Sequence, residues 1–114
     1  MATTFPVLGQ VKPTSMAETT LIDQKASDAV VSAITICNTS SSATDVYSIR
    51  VVLAADYATG GTPSSKQYVA SGITLSPNTF TTLNLGITLG AGDTVWVRST
   101  FGYSAFNALG TLVG

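Results

Sequence analysis

The chain has 114 residues, of which 45% are hydrophobic and only 10% are charged, and it contains no histidine. Soluble domains usually carry about 25% charged residues, and this charge keeps their surfaces apart. A single domain of this length cannot bury so much weakly polar surface in its own core, so we expect other protein to cover part of it.

Residues 1–16 differ from the rest because they contain two prolines and no long apolar run. Proline restricts a segment to extended or sheet-edge conformations. Two interpretations stay open, an extended arm that reaches a neighbour or a first edge strand. Residues 17–114 are predicted to form a single domain. The apolar residues Phe5, Val7 and Leu8 are candidate interface residues of the N-terminal segment.

A hydrophobic period of two predicts β-strands along most of the chain. Between Asp45 and Leu53, for example, Tyr47, Ile49 and Val51 alternate with more polar residues. The predicted strands, in chain order, are Phe5–Leu8, Thr19–Asp23, Ala29–Asn38, Asp45–Leu53, Gln67–Leu75, Thr79–Leu85, Asp93–Phe101 and Ala105–Val113.

Turn residues separate these segments, and Ser76-Pro77-Asn78 is the strongest such signal because proline presets one backbone angle. Gly72 interrupts one strand and indicates a bulge or bend. Convincing helical periodicity is absent. Seven to eight short strands at this spacing predict an all-β fold, an antiparallel β-sandwich or a jelly-roll-like arrangement.

Trp96 alternates with Val95 and Val97, so it faces outward if those two valines face the core. An outward tryptophan near Arg98 suits a protein interface or a platform that stacks on a sugar. A core tryptophan, with the two faces reversed, is the remaining interpretation. Tyr103 lies near a predicted loop and is a further candidate contact residue.

The chain lacks the residues that most catalytic mechanisms require. Without histidine there is no serine triad, no Cys–His dyad and no histidine-based zinc site, so no enzyme is predicted. The six side-chain acids are too scattered for an EF-hand loop. No cofactor or metal site is predicted, although a calcium ion held between loops stays open as an alternative.

The amino-acid composition and its distribution along the chain exclude several other classes of protein. The five Lys and Arg residues form no cluster, so neither nucleic acid nor an anionic membrane is a predicted partner. Cys37 is the only cysteine, which rules out an internal disulfide. The start of the chain lacks the pattern of a signal peptide, and no apolar run reaches the length of a membrane helix. We therefore expect synthesis in the cytoplasm.

Several short segments, in order along most of the chain, are similar to those of one protein family. They are Val7-Leu8-Gly9-Gln10, Val30-Val31-Ser32, Ile36-Cys37-Asn38, Gly86-Ile87-Thr88-Leu89, Gly92-Asp93-Thr94-Val95 and Phe106-Asn107. Together they resemble a family of short virion proteins of tailed bacteriophages. The chain departs from that family at residues 22–28, where the family has a stretch like Tyr-Thr-Val-Pro-Ala-Gly.

The resemblance implies a β-sandwich without catalytic residues that forms part of a virion. It predicts a capsid decoration or cement subunit, a homo-oligomer with three copies favoured, bound to the major capsid protein or another virion protein. The alternative is a tail, baseplate or fibre-associated module for attachment or glycan binding.

Overall fold

The computed structural model describes residues 3–4, 7–23, 28–53 and 65–113, and its regular structure in these ranges is almost entirely β. One turn of 3₁₀ helix spans Ser65–Gln67. The strands are β1 Thr3–Thr4, β2 Val7–Val11, β3 Thr19–Asp23, β4 Asp28–Asn38, β5 Asp45–Val52, β6 Tyr68–Leu75, β7 Phe80–Leu89, β8 Thr94–Ser99 and β9 Ser104–Val113.

These strands form two antiparallel sheets. One has the order β2-β9-β4-β7, with the short β1 continuing β2 along the same side of β9, and the other has the order β3-β8-β5-β6. Each strand of the first half pairs with its counterpart in the second half: β2 with β9, β3 with β8, β4 with β7 and β5 with β6. This is the connectivity of a jelly roll, so the predicted all-β sandwich is confirmed.

The core lies between the two sheets and is built from alternate residues of their strands. Tyr47 of β5 and Phe106 of β9 meet across it with ring centroids 6.2 Å apart and planes at 73°, an edge-to-face geometry that aromatic pairs favour. Burial raises the pKa of Tyr47. The buried cluster comprises Leu21, Ile22, Val31, Ile34, Ile36, Tyr47, Ile49, Leu75, Leu89, Val95, Val97, Phe106 and Ala108.

Two glycines allow backbones to approach more closely than any side chain would permit. A Cβ built on Gly9 of β2 would lie 1.9 Å from the carbonyl oxygen of Leu21, and one on Gly110 of β9 would lie 2.0 Å from that of Val30. Contacts this short are not sterically possible, so both positions require glycine. These two glycines set how closely the backbone of β2 approaches that of β3 and how closely the backbone of β9 approaches that of β4.

Local sequence signals appear in the structure where they were predicted. Gly72 has a φ of +64°, and the pairing of β6 with β5 shifts register twice, so the predicted irregularity in this strand is confirmed. Asn78 has a φ of +55° in the turn between β6 and β7.

The strand predicted at Phe5–Leu8 runs further than predicted. In the described residues it spans Val7–Val11, and it pairs with β9 of the same chain. Phe5 lies outside the described residues.

Candidate interaction surfaces

The described residues contain no cluster of three His, Cys, Asp or Glu side chains that could hold a metal ion. None of the helices in these ranges is long and apolar enough to cross a membrane. A shallow depression of about 310 Å³ is lined by Gln10, Val11, Lys12, Ala105, Phe106 and Asn107. Its two amides bind each other, with Gln10 Nε2 donating to Asn107 Oδ1 at 2.6 Å.

Apart from Asp28 at the first position of β4, the outer face of the sheet β2-β9-β4-β7 carries no charged side chain in the described strands. Residues on this face alternate with residues of the core, and the register places them in rows across the four strands. We call it the uncharged face; it consists of Val7, Gln10, Val30, Ala33, Thr35, Cys37, Phe80, Thr82, Asn84, Thr88, Ala105, Asn107, Leu109 and Thr111.

Large apolar side chains on the uncharged face are open to solvent. Phe80 is 70% exposed, Val7 is 51% exposed and Leu109 is 40% exposed. Val7 and Leu109 are directly paired across β2 and β9, so they form one apolar contact area. Exposed apolar groups that cluster in this way are typical of protein–protein interaction sites.

The uncharged face ends in the edge strand β7, whose protection is limited to one register shift in its pairing with β4, between Val31 and Ala33. No described strand pairs with β7 on the side away from β4, and its ten residues include no charge and no proline. Soluble proteins normally shield such edges with charges, prolines, bulges or short strands. Of the other three edges, β6 has two register shifts, β3 is five residues long, and β2 has a bulge.

Trp96 lies on the outer face of the other sheet. Its neighbours Val95 and Val97 belong to the core, so the outward interpretation of Trp96 is the one that the structure shows. The Arg50 guanidinium lies 5.4 Å from the centroid of the indole ring, and the indole nitrogen donates to Thr94 Oγ1 at 2.9 Å. One face of the ring is therefore already covered by the protein itself.

Arg50 is an outward residue that is nevertheless only 3% exposed. Its Nε donates to Glu18 Oε1 at 2.7 Å, and a terminal nitrogen donates to Gln67 Oε1 at 3.0 Å. Charged side chains are rarely this buried unless they are paired. The sequence pattern did not identify Glu18 as the partner of Arg50, because the two residues are 32 positions apart.

A buried carboxylate organises the end of the sandwich where β8 turns into β9. Asp45 Oδ2 accepts hydrogen bonds from the hydroxyls of Ser99 and Ser104, the latter at 2.6 Å. Asp45 Oδ1 accepts from the backbone N–H groups of Val46 at 2.8 Å and Phe101 at 3.0 Å. Burial alone raises the pKa of this carboxyl, but the four hydrogen bonds outweigh it and hold the pKa of Asp45 below its usual value.

Asn38 ties two further loops to the same end of the sandwich. Its side-chain nitrogen donates to the carbonyl oxygens of Ala43 at 2.9 Å and Leu75 at 3.0 Å. The neighbouring Thr39 donates from its backbone N–H and its hydroxyl to the Tyr103 carbonyl oxygen, at 2.9 Å and 2.7 Å. The loops at this end are therefore held in one arrangement by buried polar contacts.

These loops present a group of partly exposed side chains that we call the loop-end patch, defined as Met16, Arg98, Phe101 and Tyr103. Met16 and Phe101 are each 54% exposed. The rings of Phe101 and Tyr103 stack with centroids 6.3 Å apart and planes at 27°. Arg98 donates from Nη2 to the Met16 sulfur at 3.1 Å. Methionine, arginine and aromatic residues are the types enriched at protein interfaces.

The structure separates the candidate residues into different surfaces. Val7 lies on the uncharged face, whereas Arg98 and Tyr103 lie in the loop-end patch and Trp96 lies on the sheet face beside it. Leu8 packs against the core. Sequence analysis missed Phe80 and Phe101, although each is an aromatic residue next to a predicted turn, a position where exposed contact residues are common.

No protein-family model matches the chain, and no curated protein sequence matches it. Two solved structures align with 97% of the chain, and both are described as a pentameric capsid protein isolated from metagenomic phage sequences. They are 17% and 18% identical to the chain, with TM-scores of 0.47 and 0.46. The chain spans 62% and 60% of their lengths, about three fifths of each.

Proposed function

We propose that the protein is a structural subunit of a bacteriophage virion, a decoration or cement subunit that stabilises the capsid through protein–protein contacts. It acts without catalysis and as a homo-oligomer, for which the family resemblance favours three copies. Its partner is the major capsid protein or another virion protein.

The edge of β7, which has neither charge nor proline and is continuous with the uncharged face, is the observation that carries this proposal. An isolated protein with such an edge is prone to pair with the strand edges of other molecules and to aggregate. In an assembly, the same edge and face supply contact area with no cost for removing charges from water. Each square ångström of apolar surface covered contributes roughly 25 cal/mol, of which association entropy offsets a large share.

Binding to phage heads tests the virion role. Purified protein is mixed with heads of the phage that encodes it, prepared without the subunit, and retention is measured by co-sedimentation and by electron microscopy of the particles. We expect saturable binding at regular positions on the head. A protein that stays in the supernatant at micromolar concentration contradicts the proposal.

Self-association through β7 is tested by placing a charge on its outer face. Asn84→Lys adds a lysine at an exposed position of this edge strand, while Thr74→Lys adds one at an exposed position of β6 and serves as the control. We expect Asn84→Lys to weaken oligomer formation about tenfold or more in analytical ultracentrifugation, because the buried charge costs more than 1.4 kcal/mol. Equal oligomer stability in the two variants would show that β7 is not in the contact.

The exposed stack of Phe101 and Tyr103 favours a second candidate, an attachment module of the tail, baseplate or fibre that binds glycans. Trp96 suits this function less well because Arg50 already covers its ring. On a glycan array the wild-type protein would then bind a defined set of sugars, and Phe101→Ala would lose that binding. An array without hits removes this candidate.

A further inference from the structure

We propose that Arg98 is the anchor of the capsid contact and binds a carboxylate of the capsid partner at the loop-end patch. This inference rests on the proposed virion function and adds the chemistry of the partner to it.

The hydrogen-bonding groups of Arg98 are poorly satisfied within the described part of the chain. A guanidinium has five N–H donors, and the acceptor that the structure provides is the Met16 sulfur, 3.1 Å from Nη2. Thioether sulfur is a weak acceptor. The Nε of Arg98 is buried and has no hydrogen-bond partner among the described residues, a situation that proteins generally avoid. Because Nε is buried, another molecule reaches this guanidinium through its terminal nitrogens.

Arg50 provides an internal comparison, because it lies on the outer face of the same sheet. It has a carboxylate at 2.7 Å and a side-chain amide oxygen at 3.0 Å. Arg98 pairs with Ser48 across β5 and β8, and no described carboxylate lies within 4.0 Å of it. The same sheet face therefore holds one arginine with a carboxylate partner and one without.

The two acidic side chains nearest to Arg98 in the fold already have bonding partners. Glu18 precedes Thr19, which pairs with Val97 next to Arg98, but its carboxylate binds Arg50. Asp45 lies at the same end of the sandwich, but it is fully buried and accepts four hydrogen bonds. Neither of these described acids is therefore available to Arg98, and we infer that its carboxylate partner comes from another molecule.

The surroundings of Arg98 favour a protein as the source of that carboxylate. Met16 is in contact with the guanidinium, and the loop that carries Met16 is joined to the β8–β9 turn by the hydrogen bond from Ser15 Oγ to the Thr100 carbonyl oxygen at 2.8 Å. That turn also carries the half-exposed Phe101. An arginine flanked by apolar groups is the usual composition of an interface centre, and a carboxylate that pairs with it there is shielded from water.

The test compares Arg98→Gln with Lys66→Gln in binding to phage heads prepared without the subunit. Each variant loses one positive charge, but Lys66 is an exposed residue beside the start of β6, at the end of the sandwich away from the patch. We expect Arg98→Gln to bind roughly 10- to 100-fold more weakly and Lys66→Gln to bind within about twofold of the wild type. Arg98→Lys, which keeps the charge but loses the planar fork, is expected between these values.

Chemical modification of the heads tests the carboxylate directly. Heads are amidated with a carbodiimide and glycine ethyl ester, and a mock-treated sample serves as the control. Amidation should lower the affinity of the wild type to that of Arg98→Gln, while the affinity of Arg98→Gln for the two samples should stay the same. Circular dichroism and thermal melting confirm that each variant is folded, and Arg98→Lys provides the comparison if Arg98→Gln is not.

Three outcomes would overturn the inference. Arg98→Gln could bind heads as tightly as the wild type, or amidation could affect both proteins equally. Alternatively, Arg98→Gln could weaken self-association and leave head binding unchanged, which would assign the residue to a contact between copies. Failure of the proposed function is distinct from all three, because the wild type itself would then not bind heads.

Discussion

Replacing Asp45 with alanine tests whether the buried polar cluster holds the loop end together. The substitution removes the acceptor of four hydrogen bonds, two from the hydroxyls of Ser99 and Ser104 and two from backbone N–H groups. Both serines are completely buried, so water cannot replace the lost acceptor without opening the structure. The backbone donors at Val46 and Phe101 are less deeply buried and are more easily hydrated.

The expected loss of stability follows from these burials. Hydrogen bonds to a charged group contribute about 1.5–3 kcal/mol each, and a buried donor left without a partner costs about 1–3 kcal/mol. Because the two backbone donors regain water, we expect a loss of about 3–4 kcal/mol in the free energy of unfolding. For a domain of this length that corresponds to a decrease of roughly 12–16 °C in Tm.

Denaturation in urea, followed by circular dichroism, measures the difference between the wild type and Asp45→Ala. The pKa of Asp45 is lower in the folded protein than its ordinary value of 3.8, so the ionised carboxylate stabilises the fold above that value. This contribution is lost as the pH falls through the folded-state pKa. The stability gap should therefore be constant from pH 7 to about pH 5 and should narrow below about pH 4.

Asp28→Ala is the matched control because Asp28 is an exposed aspartate at the start of β4. It removes the same charge and should change the free energy of unfolding by no more than about 0.5 kcal/mol. A loss below about 1 kcal/mol for Asp45→Ala would refute the role assigned to the cluster. So would a gap between wild type and variant that widens as the solution is acidified.

Two further substitutions test the packing described above. Glu18→Gln should destabilise the fold by about 2–3 kcal/mol in urea denaturation, because it removes the carboxylate that lies 2.7 Å from the Nε of the buried Arg50. A loss below about 0.5 kcal/mol would show that other groups compensate. Gly110→Ala should abolish cooperative unfolding or lower Tm steeply, because its Cβ would overlap the Val30 carbonyl oxygen. Gly86 has open space around it, so the control variant Gly86→Ala should leave Tm unchanged or slightly higher. Equal melting of these two glycine variants would contradict the close approach.

The strands could be predicted from the sequence because alternation is a local signal. Val95 and Val97 are two residues apart, and their shared core position follows from the period of a strand alone. Predicted and observed bounds of β4, β5, β6, β8 and β9 agree within two residues at each end. The end of β7 was placed at Leu85 instead of Leu89, because Gly86 interrupts the alternation without ending the strand.

The pairing of strands and the candidate surfaces could not be predicted in the same way, because they depend on contacts between distant residues. Arg50 and Glu18 are 32 residues apart, and Asp45 binds Ser104, 59 residues away. No local pattern specifies such partners. The low charge of the chain predicts weakly polar outer surface, but only the sheet order shows which residues share a face.

The position of β9 in its sheet has a consequence for the order in which the protein folds during synthesis. This strand follows all the other described strands in the chain, yet it lies between β2 and β4. It pairs with β4 along its whole length and with β2 from Phe106 to Leu109. Nascent chains emerge from their N-terminal end, so β2 and β4 are made before the strand that joins them in the sheet. We infer that this sheet closes only after β9 has been made, and that its formation is slow because it pairs residues far apart in the chain.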